Sequence, residues 1–100
     1  MLSAGAHSLT DNSKLSNIQT VTANASGSSI DLTNQTEAFT IDGAAGTDVL
    51  KGGSGNDIIT GKAGTDNLTG GSGNDTFNVD SGTDTITDLG TGSDLSLIHI

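Results

Sequence analysis

Five aspartates, Asp48, Asp57, Asp66, Asp75 and Asp84, recur every nine residues without a gap, each preceded two positions earlier by Gly46, Gly55, Gly64, Gly73 or Gly82. Two residues after each aspartate stands a large apolar side chain: Leu50, Ile59, Leu68, Phe77 and Ile86. Glycine at this density is expensive to order. A chain that repeats it must gain something specific at each turn.

Aligned on the period, the chain reads GAAGTDVLK from Gly43, GGSGNDIIT from Gly52, GKAGTDNLT from Gly61, GGSGNDTFN from Gly70 and VDSGTDTIT from Val79. The units resemble the nonapeptide G-G-x-G-x-D-x-U-x of the RTX family, where U is a large apolar residue, a period associated with a calcium-binding parallel β-helix. The resemblance covers about half of the chain. It departs from the pattern at Ala44 and Lys62, which replace the second glycine, and at Val79 and Asp80, which open the last unit. It implies an all-β fold, a right-handed parallel β-roll or β-solenoid with calcium-binding turns. It also implies an exported bacterial protein that leaves the cell through type I secretion machinery, which reads a signal at the far C-terminus.

Each unit divides into a six-residue turn and a three-residue strand. Glycines at positions one, two and four let the turn fold its carbonyls around an ion. Along the strand, side chains alternate, so positions six and eight face the same way, the aspartate toward the metal and the apolar residue into the core. Alternate units resemble each other more than neighbours do: Thr47, Thr65 and Thr83 share one class, Asn56 and Asn74 the other. Two units, eighteen residues, therefore make one coil with two edges.

On this geometry each ion lies between turns two units apart, held by paired carboxylates and backbone carbonyls: Asp48 with Asp66, Asp66 with Asp84, and Asp57 with Asp75. All-oxygen donors favour Ca²⁺ over Mg²⁺, which demands a tight octahedron, and over Zn²⁺, which prefers His or Cys. At the roughly 4.8 Å strand spacing, two bare carboxylates repel by about 3 kcal/mol at an effective dielectric of about 20. The array is therefore expected to be unfolded without calcium, so that binding and folding are one event.

Composition supports this dependence. With two phenylalanines as its whole aromatic content, a chain of 100 residues cannot build an ordinary globular core. The absence of cysteine excludes disulfides and thiolate metal sites, and a net charge of −9 argues against nucleic acid or an anionic membrane as partner. No apolar run is long enough to span a bilayer, so no membrane insertion by this segment is expected. No HExxH, GxSxG or P-loop lysine is present, so the segment is expected not to be an enzyme.

Extending the period backwards puts Val21, Ile30 and Phe39 in the aspartate column and Ala23, Leu32 and Ile41 in the apolar one. Residues 15–42 are thus expected to form a calcium-independent coil that caps the first calcium coil, the alternative being a Ser/Thr/Asn-rich linker, after a loose segment at 1–14. The calcium repeats occupy 43–87 and a flank 88–94, in which Asp88 and Asp94 are expected to be solvated turn residues. The last six residues, LSLIHI at 95–100, match one reading frame of a common transposase-type sequencing adapter. They are expected to be a scar outside the fold, with the natural chain continuing past Asp94.

The sequence therefore points to a calcium-binding structural module, secreted and folding outside the cell, whose partners are calcium ions and the remainder of a parent chain. The alternative is an ice-binding or adhesive solenoid segment, or a fragment of an RTX protease, lipase or toxin that lacks its catalytic part.

Overall fold

A computed structural model of the chain describes residues 5–8, 20–24, 26–88 and 95–98. Every strand pairing within it is parallel. The strands are β1 (Gly5–Ser8), β2 (Thr20–Thr22), β3 (Ser28–Asp31), β4 (Thr40–Asp42), β5 (Val49–Lys51), β6 (Ile58–Thr60), β7 (Ala63–Gly64), β8 (Asn67–Thr69), β9 (Thr76–Val79), β10 (Ser81–Gly82), β11 (Thr85–Asp88) and β12 (Leu95–Ile98). Successive strands alternate between two five-stranded sheets, ordered β1-β3-β5-β8-β11 and β12-β9-β6-β4-β2. The chain thus climbs as a flattened all-β solenoid. A two-stranded sheet of β7 and β10 runs along one edge, extended by a bridge between Ala45 and Ala63.

In the strands of the repeats, the middle residue is buried and its neighbours are not, because strand side chains alternate faces. Leu50 and Leu68 on one sheet face Ile59 and Phe77 on the other, and all four are fully buried. Ile86 packs against this cluster at the C-terminal end of the repeats. One apolar residue per nine therefore suffices, since each coil needs only two to close the gap between sheets.

Upstream the core continues in a different register from the one expected. Val21 pairs with Ile41 and Ile30 with Leu50, so both stand in the apolar column and not in the aspartate column. Ser29 lies opposite Val49, twenty positions on, whereas Val49 lies opposite Asn67, eighteen positions on. The turn from β3 to β4 is two residues longer than the turn from β5 to β6, and that insertion shifts everything before it. Phe39, which follows the insertion, keeps the expected place: its N–H reaches Asp57, one coil on.

Leu32 and Ala23 lie just beyond their strands, each with an N–H bonded to the carbonyl oxygen that precedes a repeat glycine: Leu32 to Lys51 at 2.9 Å, Ala23 to Asp42 at 2.7 Å. They correspond to Gly52 and Gly43. In the long turn, Leu32, Gln35 and Phe39 are all buried, so side chains fill the corner that glycines leave open in later coils.

Two terminal stretches differ from expectation. Gly5–Ser8, within the segment expected to be loose, pairs with β3, and Leu95–Ile98, within the suspected scar, pairs with β9. An open parallel edge offers unpaired N–H and C=O groups to any extended segment, whatever its origin, and takes up both GAHS and LSLI. Asp94 lies outside the described residues. Among the described residues, no helix is long and apolar enough to cross a membrane.

Candidate metal centre

The five aspartates fall into two columns, one on each edge of the solenoid. Asp48, Asp66 and Asp84 stack on the edge that carries β7 and β10, and Asp57 and Asp75 stack on the other. Within a column, each residue is tied to the next by one repeated bond. The Asp48 N–H donates to Asp66 Oδ1 at 2.8 Å, the Asp66 N–H to Asp84 Oδ1 at 3.0 Å, and the Asp57 N–H to Asp75 Oδ1 at 2.8 Å. The three pairs expected from the sequence are therefore neighbours in space.

The first described coil contributes to both columns, through Phe39, which the nine-residue period placed there, and through Ser28, which it did not. The Ser28 N–H donates to Asp48 Oδ1 at 2.7 Å, and the Phe39 N–H to Asp57 Oδ1 at 2.9 Å. Ser28 and Phe39 thus occupy the aspartate position of their own turns. A search for apolar residues spaced nine, eleven and nine apart, Val21, Ile30, Ile41 and Leu50, would have located the insertion.

Asp48, Asp57, Asp66 and Asp75 are at most 1% exposed. A buried carboxylate requires a compensating cation or several donors. The ion pair Lys51–Asp31, at 3.8 Å, joins side chains on the outward positions of β3 and β5, away from both columns. Burial drives the Asp66 carboxyl up to about 6, and the neighbouring Asp84 and Asp48 add to the rise while the Asp48 N–H opposes it. Burial raises the Asp57 carboxyl as well, against the N–H groups of Phe39 and Gly53.

The surroundings fit a cation with oxygen ligands. Asp66 Oδ2 and Asp84 Oδ2 are buried without a hydrogen-bond partner. Backbone oxygens crowd the glycines of the turns: a Cβ on Gly43 would meet the Gly61 carbonyl oxygen and Asp48 Oδ2, and one on Gly52 the Gly70 carbonyl oxygen and Asp57 Oδ2. At Gly64, φ is +141° and a Cβ would collide with the Gly46 carbonyl oxygen. No group of three or more His, Cys, Asp or Glu side chains that could hold a metal occurs among the described residues. A cation here would draw on paired carboxylates and carbonyls, a donor set that suits a large, hard ion such as Ca²⁺.

Comparison with known families decides the matter. A family model described as an RTX calcium-binding nonapeptide repeat (4 copies) matches residues 40–68 and 51–86. Residues 40–86 belong to the RTX calcium-binding repeat family. No curated protein and no solved structure matches the chain. RTX nonapeptide repeats bind calcium, so the cofactor of this segment is Ca²⁺. The RTX repeat is a structural calcium-binding element and does not itself catalyse a reaction.

Proposed function

We propose that the chain is a calcium-triggered folding module of an exported bacterial protein. Its Asp48, Asp57, Asp66, Asp75 and Asp84 carboxylates serve as metal ligands, with backbone carbonyls of the turns completing each site. In low-calcium cytosol the repeats stay open, which keeps the chain competent for export. In millimolar calcium outside the cell they close and stabilise the parent protein. Residues 20–42 cap the array without an ion of their own.

The observation that carries this reading is the stacking of buried carboxylates in columns one coil apart. Ionised at neutral pH, such columns repel themselves unless a divalent ion lies between their members. Calcium supplies that charge, and because the open chain has no preformed site, its binding free energy becomes folding free energy.

Circular dichroism during a calcium titration of the full chain tests the proposal. A disordered spectrum in chelator at neutral pH should convert to a β-sheet spectrum as calcium rises. A complete β-sheet spectrum in excess chelator at that pH would sink the requirement for calcium.

A further inference from the structure

Four of the carboxylates, Asp48, Asp57, Asp66 and Asp84, are not in equivalent states, although the repeat treats them as copies. Asp48 and Asp57, each the first aspartate of its column, have both oxygens engaged by backbone donors. Asp48 Oδ1 accepts the Ser28 N–H at 2.7 Å and Oδ2 the Ala44 N–H at 3.0 Å. Asp57 Oδ1 accepts the Phe39 N–H at 2.9 Å and Oδ2 the Gly53 N–H at 2.9 Å. In each case the second donor is position two of the same unit.

Asp66 differs at that bond. Its position two is Lys62, whose φ of 73° is the one positive value of a non-glycine residue among the described residues. Lys62 supplies no N–H to Asp66 Oδ2, which is buried and unpartnered in a residue 1% exposed. Asp84, the next residue of the column, also holds a buried, unpartnered Oδ2 while its Oδ1 accepts the Asp66 N–H at 3.0 Å.

We infer that the calcium positions are unequal: the Asp66–Asp84 pair contributes to the tightest binding step, while Asp48 and Asp57 chiefly anchor the first described coil to the array. This rests on the carboxylates being calcium ligands, as proposed above. An oxygen already closed by a backbone N–H must share or surrender that bond to coordinate a cation, whereas a buried oxygen without a donor has lost its water and gained nothing in return. A cation therefore gains more at Asp66 and Asp84 than at Asp48 and Asp57. The left-handed turn at Lys62 withholds the donor that Ala44 and Gly53 provide in the first unit of each edge.

Calcium-affinity measurements by chelator competition on the full chain, with Asn replacing one Asp at a time, separate the roles. Asp66→Asn and Asp84→Asn should each weaken the tightest binding step by about tenfold or more, whereas Asp48→Asn and Asp57→Asn should change it by less than about threefold. An equal loss at Asp48 or Asp57 would overturn the inequality. A readout on the unsubstituted protein covers variants that do not fold. As calcium is withdrawn stepwise from the loaded chain, the amide NMR signals of Ala44 and Gly53 should respond before those of Gly61–Asp66. Simultaneous response of all these amides, or the reverse order, would also overturn it. Both negative results leave calcium binding itself intact; only a chain that takes up no calcium at all defeats the underlying reading.

Discussion

At the scale of single residues, the calcium turns combine strain with uncompensated charge, and both are open to test. Lys62 holds a left-handed backbone, which costs an L-residue with a Cβ roughly 1 to 2 kcal/mol. Glycine adopts it freely but loses more entropy on folding. Lys62→Gly should therefore stabilise the calcium-loaded protein by about 0.5 to 1 kcal/mol, read as a higher melting temperature. Gly64→Ala should do the opposite, because its Cβ would collide with the Gly46 carbonyl oxygen at a φ of +141°. Asp66 adds a pH dependence. Burial pushes its carboxyl in the calcium-free fold up to about 6, above the ordinary 3.8 of an aspartate, so the fold binds a proton more tightly than the open chain does. That contribution is fully present below about pH 4 and is lost as pH rises through about 6. Calcium-stripped protein should consequently show more β-sheet by circular dichroism near pH 4.5 than at pH 7.5. Stability that rises with pH over this interval would contradict the burial of Asp66.

At the scale of elements, the first described coil and the calcium coils solve one packing problem in two ways. Where a repeat has glycine at position one and aspartate at position six, the long turn has Leu32 and Phe39, both buried. The corner is filled by side chains. Phe39→Ala should destabilise the calcium-loaded protein by about 3 kcal/mol or more, the usual cost of emptying a buried aromatic site. It should leave the number of bound calcium ions unchanged, since the backbone N–H that reaches Asp57 survives the substitution. Thermal melts combined with a calcium stoichiometry check both halves of this expectation. A lost ion would mean that the Phe39 ring, and not its backbone, maintains the neighbouring site.

At the scale of the whole molecule, the two sheets are held apart by a single file of apolar residues on each, and no other layer covers them among the described residues. Among the described residues, ten buried apolar side chains, six of them in 20–42, form the core. The repeats therefore bury little apolar surface for their length, and under the proposed function ions at both edges make up the difference. Magnesium should not replace calcium, because it dehydrates reluctantly and insists on a compact octahedron that a cradle of backbone carbonyls does not match. At equal millimolar concentration, magnesium should leave the circular dichroism spectrum close to that in chelator. A full β-sheet spectrum in magnesium would show that charge neutralisation alone drives closure.

The sequence by itself determined the all-β solenoid, the eighteen-residue coil of the repeats, the two aspartate columns and the choice of calcium, because each follows from a local rule repeated without a gap. Strand alternation put Leu50, Ile59, Leu68 and Phe77 inside, and the two unit classes separated Asp48, Asp66 and Asp84 from Asp57 and Asp75. The register of Val21 and Ile30 was not legible from an unbroken nine-residue period. A two-residue insertion within an irregular turn leaves no mark on composition, and it is fixed only when backbone pairing aligns Ile30 with Leu50. The unequal states of Asp48, Asp57, Asp66 and Asp84 were equally hidden, since the same Asp reads alike in every unit. Only the tertiary structure decides which N–H groups reach it, through the first coil at Ser28 and Phe39 and through the hand of the turn at Ala44, Gly53 and Lys62.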